Sequence, residues 1–261
     1  MSLTDTGQAY LERARELLES FDALETSVRD QGGPSGTLKI SAPTSFGKGQ
    51  LMPALLDFAA AYPAVSVDVH FADRMVNLVE EGFDVAVRIG HLTDSSLVAK
   101  RLAAVRMVTC ASPDYLQRHG IPMALEDLAG HEAILDTNAR EATNWTFGPH
   151  SDRREVRVHG RLRFNGAEAC VAAAVAGFGV ARSPAFAAAD ELRQGRIVPI
   201  LCTFEPELIH VHAVYPHARH LAAKVRAFVD FLAKRYAGEP AWHQGWGAEH
   251  PRVNAGWARE A

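Results

Sequence analysis

Residues 37–42, Thr37-Leu38-Lys39-Ile40-Ser41-Ala42, alternate apolar and polar side chains, which is typical of a β-strand. The residues that follow alternate between helical and strand periods: helices are predicted at 51–62 and 74–81, the second stopped by Gly82, and strands at 65–71 and 83–89. This β-α-β-α-β order predicts a parallel sheet with right-handed crossovers. The chain is therefore expected to be an α/β protein.

The rest of the sequence predicts a second lobe and a return to the first. In chain order we expect strands at 97–102 and 105–110, short helices at 115–120 and 125–128, strands at 133–135 and 156–164, a helix at 167–176, and strands at 180–182, 197–201 and 208–215. A last helix at 221–236 is expected to pack back on the first lobe.

The predicted division is lobe I at residues 37–110 plus 214–236 and lobe II at residues 111–213. Both lobes are expected to be Rossmann-like. Because the chain passes between them twice, two crossing strands would form a hinge beside a cleft. Open α/β sheets bind ligands at the carboxyl ends of their strands, so the cleft is the expected ligand site.

A separate helix is predicted at the start of the chain, within residues 1–31. Its apolar residues follow the a/d rhythm of a coiled coil, which predicts a dimerisation seam of Tyr10, Ala14, Leu17, Phe21, Leu24 and Val28. The pattern is shorter than the roughly three heptads that define a firm coiled coil, so a helix lying on its own domain stays an alternative. The tail at residues 237–261 has three tryptophans but no period, and is expected to be flexible or loosely pinned by a tryptophan.

Composition excludes several classes of protein. A net charge of −4 argues against a chain that holds nucleic acid by itself, because phosphate binding needs a basic face. No apolar run is long enough to span a membrane. Three widely spaced cysteines, Cys110, Cys170 and Cys202, indicate a reducing compartment, and a cytoplasmic location fits best.

The chemical motifs favour ligand binding over catalysis. Residues 42–49 sit between a strand and a helix as a phosphate loop would, but Ala42 and Gly49 occupy positions where that loop needs Gly and Ser or Thr. Thr44 and Ser45 can still form a modest anion site at the helix start, or simply cap the helix. His210 and His212 would share a strand face, yet no carboxylate or cysteine cluster completes a metal site. No enzyme, metal or cofactor is predicted.

Several motifs, in order along the chain, resemble LysR-type transcriptional regulators. They are Leu3-Thr4-Asp5-Thr6-Gly7, residues 36–43 (GTLKISAP), 79–90 (VEEGFDVAVRIG), 110–116 (CASPDYL), 127–131 (DLAGH), 165–169 (NGAEA) and 225–232 (VRAFVDFL). The resemblance implies a linker helix followed by a regulatory domain of periplasmic-binding-protein-like fold, type II. Residues 3–7 resemble the end of a winged helix-turn-helix, so the DNA-binding head itself is expected to be missing and DNA to be bound only through it.

The resemblance also implies a function. Such regulators clasp a small effector between two lobes and act as homodimers or homotetramers. Transferred to this sequence, the expected effector-binding residues are Thr44, Ser45, Arg88, Ser112, Asn165 and Arg182. Arg88 and Arg182 could bind an anion bidentately, or could equally form surface or interlobe salt bridges. A periplasmic-type solute-binding protein, which shares the bilobal fold, is the alternative hypothesis.

Overall fold

The computed structural model describes residues 33–90, 97–139, 141–217 and 221–246, with Thr4, Thr6, Gly7, Tyr10, Arg13 and Ala14 near the start. Tyr10 is helical and 77% exposed. Ala14 is helical and half-buried, and the remaining predicted seam residues, Leu17, Phe21, Leu24 and Val28, lie outside the described residues. The dimerisation seam therefore stays a prediction.

The described strands are β1 Gly36–Ala42, β2 Val65–Phe71, β3 Val85–Ile89, β4 Leu97–Val105, β5 Met107–Ala111, β6 Ala133–Asp136, β7 Asn144–Phe147, β8 Arg154–Arg157, β9 Leu162–Phe164, β10 Val180–Pro184, β11 Val198–Ile200 and β12 Ile209–Pro216. The main helices are α1 Met52–Ala61, α2 Pro113–His119, α3 Ala167–Val175, α4 Ala185–Arg193 and α5 Ala223–Arg235. A turn of α-helix at Thr44–Phe46 and a π-helical turn at Gly47–Leu51 lead into α1.

Two five-stranded sheets confirm the α/β architecture with two lobes. The sheet of lobe I has the order β2-β1-β3-β12-β4, in which β2, β1 and β3 are parallel and β12 is antiparallel to its neighbours. The sheet of lobe II has the order β11-β5-β10-β6-β9, with β10, β6 and β9 parallel. The parallel strands are those joined by helical or long crossovers, as the sequence predicts.

The points at which the chain changes lobe differ from the predicted boundaries. Strand β5 pairs with β10 and β11 in lobe II, so the first crossing lies at Arg106 and not at residues 110–111. Strand β12 pairs with β3 and β4 in lobe I from Ile209 onward, so the return lies between β11 and β12 and not at residues 213–214. In both cases the strand begins within two residues of its predicted start, at Met107 and Ile209, and the error was to assign it to the lobe that the chain is leaving.

Two further predictions were wrong in detail. Residues 74–81 form turns and not a helix, although Gly82 does have the predicted positive φ, at 70°. The strand expected at 156–164 is two strands, β8 and β9, and β7 pairs with β8 as a separate hairpin. For the tail, the second predicted alternative holds in its described part, because Trp242 and Trp246 are buried, with 3% and 7% of their surface exposed.

The largest hydrophobic cluster is continuous between the lobes. It contains core residues of the first sheet, such as Ile40, together with residues of α3 and α4 in lobe II, such as Ala189. The Phe46 ring, in the turn before α1, meets the Phe186 ring of α4 edge-to-face with centroids 5.2 Å apart. A second cluster fills the opposite face of the lobe II sheet. The two lobes are thus packed against each other beside the cleft.

No helix in the described part of the chain is long and apolar enough to cross a membrane.

Candidate functional site

The two lobes meet where β1 of lobe I and β9 of lobe II end. Thr44 and Ser45 follow β1 and begin the helical segment, and Asn165 and Gly166 follow β9 and precede α3. The Ser45 hydroxyl oxygen lies 3.9 Å from the position that a Cβ atom on Gly166 would occupy. The structure therefore brings Thr44 and Ser45 to face the segment that carries Asn165.

Lobe I adds a carboxylate to this edge. The Thr44 backbone N–H donates a hydrogen bond to Asp73 Oδ1 at 2.9 Å, and Asp73 comes just after β2. The N–H at this helix start is thus already satisfied by a carboxylate of the same lobe. The N–H groups and the dipole of a helix N-terminus stabilise a negative charge such as that of the Asp73 carboxylate.

Lobe II contributes a second carboxylate. Asp136 ends β6 and accepts a hydrogen bond from the Asn138 backbone N–H at 2.9 Å. Burial raises the pKa of Asp136, the hydrogen bond from the Asn138 N–H acts in the opposite sense, and the negative charge of Asp73 in lobe I raises it. The Asn138 amide in turn donates to the Asn165 carbonyl at 2.7 Å, so Asn138 ties β6 to the helix start of α3.

Arg88 carries the positive charge of this region. Its side chain is 8% exposed, and it donates to the Val87 carbonyl at 2.8 Å and to the Ser41 hydroxyl at 2.9 Å. Both acceptors are uncharged, and no carboxylate of the described residues lies within ion-pair distance of it. Burial lowers the pKa of Arg88, while the nearby Asp73 charge acts in the opposite sense. A buried guanidinium without an anionic partner is a ready binding group for an anion.

A cavity of about 370 Å³ opens on the face of the sheet that carries Arg88 and Ser41. Its lining residues are Ser41, His70, Phe71, Ala72, Arg74, Val76, Glu81 and Phe83. The rings of Phe71 and Phe83 provide apolar wall, and Arg74 forms a bidentate ion pair with Glu81. The volume suits a small metabolite.

Ser112 and Arg182 make their described contacts inside lobe II. The Ser112 hydroxyl accepts the Tyr115 backbone N–H at 3.3 Å and caps α2. The Arg182 guanidinium donates to the Thr146 carbonyl and lies 5.2 Å from the centre of the Phe147 ring. Burial lowers the pKa of Arg182 to about 10. Of the six predicted residues, the structure thus brings Thr44 and Ser45 to face the segment that carries Asn165, bonds Arg88 to Ser41 of β1, and gives Ser112 and Arg182 partners within lobe II.

Sequence reasoning missed three polar residues of the region: Ser41, Asp73 and Asp136. Asp73 comes directly after the predicted strand 65–71, and Asp136 directly after the predicted strand 133–135. Their positions at the carboxyl ends of parallel strands were the available signal. Among the residues that the structure describes, no group of three or more histidine, cysteine, aspartate or glutamate side chains could hold a metal ion.

Comparison with known proteins identifies the family. Residues 31–237, most of the chain, match the LysR substrate binding domain. The chain belongs to the LysR family of transcriptional regulators. This family is regulatory and not enzymatic, so the expectation that the chain is no enzyme is confirmed.

Relatives of this LysR-family chain are named as regulators. It is 36% identical over 243 residues to the HTH-type transcriptional regulator PtxR of Pseudomonas aeruginosa, with 92% of this chain and 77% of the relative covered. It is 32% identical over 223 residues to an uncharacterised HTH-type transcriptional regulator of Haemophilus influenzae, with 85% and 77% covered.

Solved structures of LysR-type regulators share the fold. CrgA of Neisseria meningitidis superimposes with a TM-score of 0.72 at 26% identity, covering 91% of this chain and 81% of CrgA. Full-length AphB of Vibrio cholerae gives a TM-score of 0.71 at 25% identity, covering 90% and 81%. The likeness to such regulators confirms the periplasmic-binding-protein-like, type II, fold.

Proposed function

We propose that this LysR-family chain binds a small anionic metabolite between its lobes and reports its presence to the rest of a transcriptional regulator. The observation that carries the proposal is Arg88, a buried guanidinium whose acceptors among the described residues are neutral and whose partner Ser41 lines a small cavity on lobe I. Asp73 and Glu81 act on Arg88 only at longer range, so a carboxylate or similar anion there would form the direct ion pair that Arg88 makes with no described residue.

The polar groups at the lobe edges suggest how the ligand is oriented. Asp73 in lobe I and Asp136 in lobe II are acceptors when they are charged, so they favour hydroxyl or amino groups on the ligand. Ser45 and Asn165 can each donate or accept a hydrogen bond. The proposed effector therefore has an anionic end near Arg88 and hydrogen-bond donors toward the two carboxylates. Because these groups come from both lobes, the ligand would favour a closed arrangement.

Ligand binding is tested by differential scanning fluorimetry with a panel of hydroxy-, amino- and aromatic carboxylates. At least one compound should raise Tm of the wild-type chain, since ligands that bind only the folded state stabilise it. Arg88→Gln should abolish the shift. Arg226→Gln is the matched control, because Arg226 is exposed on α5 and makes none of the contacts described for the cleft, so it should leave the shift unchanged. A shift that survives in Arg88→Gln would contradict the proposed site.

We also propose that the chain assembles with itself through the seam of Tyr10, Leu17, Phe21, Leu24 and Val28. The 77% exposure of Tyr10 supports this, since a large apolar side chain at a seam position is left uncovered in the single chain. Light scattering should give the mass of two or four chains for the wild type. Leu17→Glu should reduce that mass, because it places a charge in the apolar seam. A single-chain mass for the wild type would contradict the seam.

A further inference from the structure

Residues 241–246 of the tail pack onto the place where the chain crosses between lobes. This segment begins with the short 3-10 turn Ala241–His243, and it buries the side chains of Trp242 and Trp246. We refer to residues 241–246 as the tail segment. The tail segment contacts the first crossing segment, at Ala104 and Arg106, and it contacts elements of both lobes.

The two crossing segments are joined by one ion pair. Arg106 is the single residue between β4 and β5, and Glu205 lies between β11 and β12. Arg106 Nε donates to Glu205 Oε2 and Arg106 Nη2 donates to Oε1, each at 2.9 Å. Both side chains are mostly buried, with 26% and 17% of their surface exposed. This bidentate, partly desolvated geometry makes the pair stronger and more directional than a surface ion pair.

The tail segment covers that ion pair. The Trp246 ring lies over the Arg106 guanidinium, with 4.6 Å between the guanidinium carbon and the ring centre. The Arg106 backbone N–H donates to His243 Nε2 at 3.1 Å, and Trp242 Nε1 donates to the Ala104 carbonyl at 3.2 Å. Side-chain groups of the tail segment thus satisfy backbone groups on both sides of Val105, at the first crossing.

The same segment contacts elements of both lobes. The Trp242 ring packs near Phe46 of lobe I, with centroids 5.8 Å apart, and near Phe186 of lobe II, with centroids 6.4 Å apart. Arg193 of α4 in lobe II donates to the carbonyls of Ala241 and Gln244, each at 3.2 Å. A rotation of one lobe against the other about Arg106 would change the distances in several of these contacts together.

We infer that the tail segment is a hinge clasp: it holds the two crossing segments in one arrangement and so sets the angle between the lobes and the width of the cleft. This role goes beyond effector binding and does not depend on which molecule binds. Arg106, His243 and Trp246 act in it as positioning residues, since they make none of the described contacts of the cleft.

The clasp is tested by the distance between the lobes in the absence of ligand. Spin labels are placed at Ala60→Cys on α1 and Gln117→Cys on α2, both exposed, in a Cys202→Ser background. Electron–electron double resonance then gives the distance distribution. Truncation after Ala237 should at least double the width of this distribution. Truncation after Trp246, which keeps the clasp, should leave the width unchanged. Equal distributions for the full chain and the shorter truncation would overturn the inference.

Point variants keep the test valid if the shorter truncation does not fold. Trp246→Ala removes the ring over Arg106 and should broaden the distribution, whereas Trp246→Phe retains an aromatic face and should stay close to the wild type. Far-UV circular dichroism verifies that each variant is folded. If Trp246→Ala lowers Tm but leaves the distribution as narrow as in the wild type, Trp246 is merely a core residue and the clasp is excluded.

Discussion

Replacing Phe46 with alanine is expected to lower the free energy of unfolding by about 4 kcal/mol, near the middle of the range for buried aromatic truncations. Phe46 has no exposed surface, and its ring contacts Phe186, Trp242 and Tyr236 with centroids 5.2, 5.8 and 6.1 Å away. Alanine would leave a cavity lined by rings that are themselves held in place, so collapse around it would be limited. Urea denaturation followed by fluorescence measures the loss.

Phe46→Leu is the matched variant for that experiment. Leucine keeps most of the apolar volume and should reduce the free energy of unfolding by roughly 1–2 kcal/mol. Because Phe46 belongs to lobe I and Phe186 to lobe II, the loss in Phe46→Ala should appear in both lobes as one transition. Separate unfolding of the lobes in the wild type, or a loss in Phe46→Ala no larger than in Phe46→Leu, would contradict a hydrophobic core shared by the two lobes.

Replacing Gly160 with alanine is expected to destabilise the chain by roughly 3 kcal/mol, the upper part of the range for overpacking. A Cβ atom at Gly160 would lie 1.6 Å from the Ala133 carbonyl oxygen and 2.7 Å from its carbonyl carbon. These are backbone atoms of β6, so neither can rotate away. The backbone would have to move apart where the Ala133 N–H now donates to the His159 carbonyl at 2.9 Å.

The effect of Gly160→Ala can also be measured as a change in Tm, with Gly130→Ala in the same lobe as the control. For a chain of this size, 3 kcal/mol corresponds to a Tm lower by about 10 °C. Gly130→Ala is chemically the same substitution, but an added Cβ at Gly130 meets nothing within 4 Å, so Tm should stay within about 2 °C of the wild type. Equal Tm values for the two variants would mean that β6 and the segment before β9 do not pack as closely as described.

The regular helices and strands could be predicted because their apolar residues recur at a regular spacing. Strands β1 and β2 alternate in sequence, and their parallel pairing from Gly36↔Val65 to Ala42↔Phe71 follows from the helical crossover between them. Residues 74–81 show why spacing alone can mislead. Leu78 is 2% exposed and packs against Ala86 of the sheet, whereas Met75 and Val79 are 75% and 50% exposed. The single buried side chain of Leu78 and the Arg74–Glu81 ion pair stabilise turns in this segment in place of a helix.

The tail and the candidate site show the other limit of sequence reasoning. The burial of Trp242 and Trp246 is not signalled by any periodic pattern around them, because they contact a crossing segment and helices that are distant in sequence. Thr44, Ser45 and Asn165 could be placed in advance because they follow strand ends. The burial of Arg88 against neutral acceptors, and the effect of the Asp73 charge on the pKa of Asp136, depend on how the lobes and loops pack, which no local sequence pattern predicts.

The most direct test of effector sensing is isothermal titration calorimetry of the carboxylate that gives the largest thermal shift. Wild-type chain should bind it saturably at one site per chain. Loss of a buried, charge-assisted hydrogen bond is worth about 1.5–3 kcal/mol, so Arg88→Gln should weaken binding by at least tenfold. Arg226→Gln should bind as the wild type does. Unchanged affinity in Arg88→Gln, or no saturable binding of any carboxylate by the wild type, would contradict an anionic effector held by Arg88.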